Sequence, residues 1–408
     1  MAELEPPTSQ KTSWDFSLLD PMTKDFLAAT EGHPTVMNFS TMPAWLFKTD
    51  KPVTYPADPN KAVWGYTQGT ELRDSTGQEM ASYYERLVSW YVNGGFTDEN
   101  GVRHESGYHY KLPVWEVLNE VDFEHSMTPE DYTKRYDLIV EGIHHASPET
   151  KFMGLALATP KDRPEFFEYF LNPANHKPGI PLDYISYHFY ASPTHSQTIA
   201  DWQYTFFDQA DGFLSAVRYI ESIRKRLSPG TKTDLNELGV VLPTDNTPTD
   251  KVPPPMGYYN LAGSLYAYLY IELSRLQIDI IGESQLVGYP TQYPSVSIMD
   301  WITNKPNPCF WVLKLIKDNF HPGDKLVETR LEGPGSVDVE AQAFLTPAGH
   351  KLLLANKRNY AIEVNLPDAQ NASALRVDES TGDELANSMK AAGGKIKLEP
   401  FAVVVVSW

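Results

Sequence analysis

Short apolar segments rich in β-branched and aromatic residues alternate with amphipathic segments along most of this chain. That alternation restricts the fold more than any other feature. Strand-like runs are expected at Thr35–Phe39, Leu112–Leu118, Lys151–Ala158, Asp183–Tyr190, Thr233–Val240 and Ile278–Val287, ending near 39, 120, 158, 190, 237 and 283. Between them lie expected helices at Asp15–Thr30, Gln78–Val92, the segment opened by Thr128-Pro129-Glu130-Asp131, Pro164–Leu171, Phe213–Leu227, Gly257–Leu276 and Pro308–Asn319. Strand alternating with helix is the pattern of a parallel sheet, so the fold class is α/β, specifically a (β/α)8 TIM barrel. From Glu120 to Glu237 the chain runs about 39 residues per strand–helix unit, against roughly 30 in a compact barrel. A full barrel needs eight strands and six are found. The barrel is therefore expected to lack its first strands, the chain being truncated relative to a complete one. Residues 1–13 are expected to be disordered or lightly docked.

Beyond about Lys325 the period changes. Val337, Val339, Ala341 and Ala343 alternate with polar residues, and short β-prone runs follow as far as Phe401–Val406. This reads as a small C-terminal β-sandwich. Two domains result: an N-terminally incomplete catalytic barrel over 1–324 and an all-β sandwich over 325–408.

Composition narrows the partners. The 408 residues carry 34 Lys and Arg against 53 Asp and Glu, a formal net charge of −19. Nucleic acid is a poor partner for such a chain. No apolar run approaches the roughly 18 residues of a membrane span. One cysteine, Cys309, excludes an internal disulfide and leaves the compartment open. Met1 to Lys11 is polar and carries prolines, so no secretory leader is read there. Location stays open between the cytoplasm and secretion of a longer precursor. Oligomeric state cannot be read. The 23 Tyr, 9 Trp and 18 Phe fit a surface that stacks on sugars.

The chemistry is expected at strand ends, where open and closed α/β sheets bind ligands. Trp115-Glu116-Val117-Leu118-Asn119-Glu120 is a buried strand ending in an amide and a carboxylate. Asp234-Leu235-Asn236-Glu237-Leu238-Gly239 repeats that layout. Two strand-end glutamates, each preceded by asparagine, suggest a two-carboxylate site. His144-His145 and His104 with His109 lack the spacing of a ligand set, so no metal is assigned, and no cofactor. Asn38-Phe39-Ser40 and Asn371-Ala372-Ser373 match the glycosylation sequon, the first in a strand expected to be buried.

The first of these segments resembles the Asn-Glu motif of clan A glycoside hydrolases, and Glu237 falls where that clan keeps its nucleophile. Asp183-Tyr184-Ile185-Ser186-Tyr187-His188-Phe189-Tyr190 is similar to another of the clan's strand segments. Trp14-Asp15-Phe16-Ser17, Ser40-Thr41-Met42-Pro43-Ala44-Trp45-Leu46, Ser297-Ile298-Met299-Asp300-Trp301 and Lys305-Pro306-Asn307 look like family 39, which contains β-xylosidases and α-L-iduronidases. The chain departs from the clan at Leu118, commonly Trp, at Val121, commonly Pro, and around the nucleophile at Asn236 and Leu238.

The resemblance implies a carbohydrate or glycoside substrate and a retaining, exo-acting glycosidase. Cleavage needs a proton on the leaving oxygen and a nucleophile at the anomeric carbon. Glu120 would be the acid and then the base, and Glu237 the nucleophile. Asn119 would bond the sugar 2-hydroxyl. His188 and Tyr190 share the rim, with Tyr190 a candidate to hold Glu237, while His188 would equally suit a satisfied core histidine. Glu283 could bind a hydroxyl, or serve as a salt-bridge partner. Trp45 and Trp301 are candidate stacking platforms, though each would suit packing as well. Glu116 reads as an interior carboxylate. Two other readings compete: a catalytically inactive carbohydrate-binding homologue, and a different barrel enzyme such as a lyase or metal-dependent hydrolase.

Overall fold

A computed structural model describes the chain except residues 56, 58–69, 247–252, 288–292, 301, 368, 371 and 382–386. Two compact units form. One comprises Met1–His188 with Tyr219–Asp234, the other Phe189–Arg218 with Leu235–Trp408.

In chain order, the strands before the C-terminal β region are β1 (Val36–Asn38), β2 (Gly95–Thr97), β3 (Arg103–Glu105), β4 (Val114–Glu116), β5 (Lys151–Leu157), β6 (Tyr184–Ala191), β7 (Lys232–Val240) and β8 (Ile280–Glu283). The helices are α1 (Leu19–Ala29), α2 (Gln78–Val92), α3 (Pro129–Ala146), α4 (Pro164–Phe170), α5 (Ile199–Leu227), α6 (Tyr258–Arg275) and α7 (Pro308–Asn319). Six strands form one sheet in the order β1-β4-β5-β6-β7-β8. The pairs β1–β4, β4–β5 and β5–β6 are parallel. These are the six expected strands, and the sheet with its helices is part of a parallel barrel.

The first unit is built on aromatic packing. Helix α2 buries Met80, Tyr83, Tyr84, Leu87, Val88 and Tyr91 on one face, the spacing that made it legible. Helix α3 starts where its cap stands. The Thr128 hydroxyl accepts the Asp131 backbone N–H at 3.1 Å, and Pro129 holds the first helical position. The two helices meet at Gly142, where a Cβ would lie 2.5 Å from the Ala81 carbonyl oxygen. Residues 1–13, expected to be loose, are docked. Ala2 is buried, its N–H reaches the Tyr83 hydroxyl at 3.1 Å, and Glu3 bridges to Trp14, whose ring stacks on Tyr83. The anchor is the aromatic cluster of α2, a tertiary contact invisible to a local reading. The segment 96–111, expected as a loop, holds the β2–β3 hairpin. Gly95 is required there: its φ is +134° and a Cβ would meet the His104 carbonyl oxygen at 2.0 Å.

In the second unit α5 begins at Ile199 rather than near Phe213, and β8 is shorter than expected. The C-terminal strands are β9 (Lys325–Val327), β10 (Val339–Thr346), β11 (Gly349–Asn356), β12 (Ile362–Asn365), β13 (Ser373–Val377), β14 (Asn387–Lys390), β15 (Lys395–Leu398) and β16 (Val403–Ser407). Six make a sheet in the order β14-β13-β16-β11-β10-β9, and β12 pairs with β15. Alternating side chains serve two cores. Leu353, Ala355, Val403 and Val405 pack with Ala267, Ile271, Val312 and Phe320 of the α6–α7 region. Leu352, Leu354, Val404 and Val406 pack with Ile396 and Leu398 of the small sheet. The run Val403–Val406 is uniformly apolar because both of its faces are buried. No helix among the described residues is long and apolar enough to cross a membrane.

Replacing Thr128 by Ala should lower stability by about 1 kcal/mol, the usual worth of an N-cap. Urea denaturation of the two proteins checks it.

Candidate active site

Strand β4 does not stop at its last paired residue. Val117 N–H bonds the Met153 carbonyl, and Glu120 N–H bonds the Ala156 carbonyl, each at 2.9 Å. Between them the backbone is forced into left-handed conformations, with φ of +65° at Leu118 and +40° at Glu120. On β5, Leu155 and Ala156 also have positive φ, where the register with β6 shifts. Such conformations cost on the order of 1–3 kcal/mol each and need surrounding support. Support comes from Tyr132 of α3. Its hydroxyl donates to the Val117 carbonyl at 3.0 Å and accepts the Leu155 N–H at 2.7 Å. Asn38 adds a bond to the Leu118 carbonyl at 3.1 Å. Beyond the turn, Asp122 accepts the backbone N–H groups of Ala158 and Thr159, each at 3.0 Å.

The result is a half-buried Glu120 aimed by a strained turn. Its Oε1 lies 3.0 Å from Nδ1 of His188, a fully buried β6 residue. Asn119 is half-buried beside it. Glu116, 3% exposed, is an interior carboxylate: its Oε1 accepts the Ser186 hydroxyl at 2.5 Å and its Oε2 accepts Asn38 Nδ2–H at 2.8 Å. Near it in the same unit lies Asp234 of β7, 2% exposed, with Oδ1 lacking any hydrogen-bond partner. Burial first, then the Glu116 charge, pushes the Asp234 carboxyl up to about 7, while His188 pulls the other way.

In the second unit Tyr190 holds Glu237. The phenol donates to Glu237 Oε2 at 2.6 Å and lies 2.6 Å from Ser284 Oγ. A phenol has one proton, so the serine hydroxyl supplies the second bond. Gly239 makes room for the ring, since a Cβ there would lie 2.7 Å from Tyr190 Cε1. Ser186, His188 and Tyr190 are alternate residues of β6 and share one face. Each meets a carboxylate: Glu116, Glu120 and Glu237 respectively.

Glu283 does not join the Tyr190 set. It lines a cavity of about 610 Å³ with Tyr266, Ile281, Leu286 and Phe310. Its Oε2 is buried without a partner, and burial pushes its carboxyl well up. Adjacent strand residues face opposite ways, and Ser284 is the one on the Tyr190 side. Trp45 donates its indole N–H to the Glu3 carbonyl at 3.0 Å, with the Arg73 guanidinium 4.9 Å over its ring. Trp301 lies outside the described residues, as does Asn371. His104 meets Asp98 at 2.7 Å and His145 meets Glu85 at 2.6 Å, ordinary polar pairs. The residues that sequence reasoning missed are Ser284, Asn38 and Asp234. For Ser186 the signal was present, as the period-2 partner of His188 and Tyr190.

Residues 77–227 match the family model of glycosyl hydrolases family 39. That segment holds Glu120, His188 and Tyr190, and Glu237 lies just beyond it. Residues 337–406 match the C-terminal immunoglobulin-like domain of D-apionate lactonase. Among solved structures, the chain is similar to a GH30 endoxylanase from Clostridium papyrosolvens C71, with TM-score 0.57 at 14% identity, covering 96% of this chain and 84% of that one. It is similar to a glucosidase from Croceicoccus marinus, with TM-score 0.59 at 15% identity, covering 98% and 83%. An α-L-arabinofuranosidase from Thermotoga maritima gives TM-score 0.54 at 18% identity, covering 83% and 74%. No curated protein sequence matches. At these identities the structural likeness establishes the fold alone. The family 39 match covers residues 77–227, under half of the 408-residue chain.

The buried Asp234 has a consequence for stability. Its folded-state carboxyl binds a proton more tightly than the unfolded one, so folding is favoured at low pH and loses that contribution as pH rises from about 4 to about 7. Asp234→Asn removes the ionisation. The variant should gain stability relative to the natural chain over that window, by at most about 4 kcal/mol, and level off above it. Denaturant midpoints at pH 4, 6 and 8 check this.

Proposed function

We propose that the chain is a retaining, exo-acting glycosidase in which Glu120 and Glu237 attack one glycosidic bond. The observation that carries the reading is the Tyr190 phenol donating to Glu237 at 2.6 Å. A hydrogen bond from a neutral donor orients the carboxylate and suits its ionised form, as a nucleophile requires. The contact of Glu120 with His188 supports the complementary role of proton carrier.

In the first step a Glu237 oxygen bonds to the anomeric carbon as the bond to the leaving oxygen breaks, and Glu120 delivers its proton to that oxygen. In the second, water attacks the same carbon, Glu120 takes the water's proton, and the ester to Glu237 breaks. Retention by this route needs about 5–5.5 Å between the two carboxyl groups. Asn119 would bond the sugar 2-hydroxyl. The substrate class proposed is a β-xyloside or related glycoside, by likeness to family 39. The catalytic portion would extend to about residue 324, with the β-sandwich from 325.

A panel of nitrophenyl β-xylosides, β-glucosides, β-galactosides, α-L-arabinosides and α-L-iduronides tests the proposal. Turnover of one of them should fall by about 10³-fold or more in Glu237→Ala, a loss of roughly 4 kcal/mol. Azide should restore it and yield a glycosyl azide of inverted configuration. Glu120→Gln should lose more activity on poor leaving groups than on nitrophenol, which departs without a proton. Release of monosaccharide alone from short oligosaccharides marks exo action. A folded protein that binds sugar but turns over nothing on the panel would instead be the inactive homologue.

A further inference from the structure

We propose that the cavity beside Glu283 binds a small apolar alcohol, whose hydroxyl meets the Glu283 carboxyl while its hydrocarbon body packs between β8, α6 and α7. The inference does not rest on the glycosidase reading, because Glu283 stands apart from the Tyr190 and Glu237 set.

The cavity lies wholly in the second unit. Its volume of about 610 Å³ falls within the roughly 300–1,000 Å³ of small-molecule sites. The walls are hydrocarbon and aromatic: Tyr266 and Tyr270 from α6, Ile281 from β8, and Phe310 and Leu313 from α7. Lys314 and Asp318 mark the exposed rim and pair with each other at 2.6 Å. Lys317 shares that rim.

Glu283 is the other carboxyl of the cavity, and its situation is different. Its Oε2 is buried and takes no hydrogen bond. Nearly all buried polar groups in folded proteins have a partner, so an orphaned oxygen in a cavity wall marks the place of a polar atom from outside the chain. The Cys309 thiol does not supply that atom, for it donates to the Tyr259 carbonyl at 3.3 Å.

The charges decide which polar atom it is. An ammonium would have to pass Lys314 and Lys317 and leave water for an apolar wall, where Glu283 would have to ionise to meet it. Both steps are costly. A carboxylate would set a second acidic group against the first. A hydroxyl is neutral and both donates and accepts. It matches a carboxyl that burial keeps protonated well above the usual carboxylate range. The apolar walls then favour a hydrocarbon body, since burying such surface is what drives it out of water.

Four probes that share one body test the assignment: naphthylmethanol, naphthylmethylammonium, naphthoate and methylnaphthalene, each measured against the full chain by equilibrium dialysis at neutral pH. The alcohol should bind about tenfold more tightly than the hydrocarbon, the worth of one good hydrogen bond. Glu283→Leu should bring those two to equal affinity, and Glu283→Gln, which still donates and accepts, should keep the preference. Leu313→Trp, which fills the space from α7, should weaken binding of every probe. Equal binding of alcohol and hydrocarbon by the natural chain overturns the role of Glu283, as does a preference that persists in Glu283→Leu. Tighter binding of the ammonium or the naphthoate overturns the ligand class. Failure of every probe to bind overturns the site, water alone then meeting the oxygen. If Glu283→Leu does not fold, the order of the head groups on the natural chain and its loss in Leu313→Trp decide the matter. No readout involves turnover, so a failure of the glycosidase reading leaves these outcomes as they are.

Discussion

Much of the first unit depends on one buried carboxylate. Taking Glu116 out of water costs several kcal/mol unless donors meet its oxygens. The donors come from two other strands: Asn38 from β1 and Ser186 from β6. Glu116 therefore ties β1, β4 and β6 together by side chains, across positions that backbone pairing alone would leave free to slide. Asn38 also reaches the Leu118 carbonyl, so the same tie holds the start of the turn that lifts Glu120. A left-handed leucine followed two residues on by a left-handed glutamate persists only where such ties over-determine the backbone.

Strand β6 continues the same logic along its length. Its inward face presents a serine, a histidine and a tyrosine, and each is matched to a different carboxylate. The serine hydroxyl meets the fully buried Glu116, the imidazole meets the half-buried Glu120, and the phenol meets Glu237. Small residues set the fine spacing: without Gly239 the tyrosine ring could not lie where its hydroxyl meets Glu237.

The parts of this architecture that were legible in the sequence share a local cause. Helices α2 and α7 were placed to the residue by their periodicity and flanking glycine, asparagine and proline. The six sheet strands were placed by apolar runs between breakers. Glu120, His188, Tyr190 and Glu237 stood out because each sits at a strand end. The misses depend on what lies across a gap. Residues 1–13 dock on a tyrosine 81 positions away from Ala2. The first turns of α5 are polar and aromatic, which hid their helical period even though Thr198-Ile199-Ala200-Asp201 caps them, Asp201 accepting the Thr198 N–H at 2.8 Å. Glu283 drew attention because a carboxylate is conspicuous, whereas its neighbour Ser284, which meets the Tyr190 phenol, carries no such signal. Asn38 and Asp234 acquire meaning only from inter-strand register, which no single sequence displays.

The division of the chain into units also has a temporal side. The peptide passes from the first unit to the second at 188, returns at 218 and leaves for good at 234. On the ribosome the first unit thus has all its residues once position 234 has emerged, while the second still awaits most of its own. At roughly 5–20 residues per second, the 174 residues from 235 to 408 take roughly 9–35 s to add. During that interval 189–218, with Tyr190 and the start of α5, is already outside the ribosome but lacks the partners it will pack against. Synthesis therefore imposes an order in which the Glu120–His188 pair can form before Glu237 has been added to the chain's folded part.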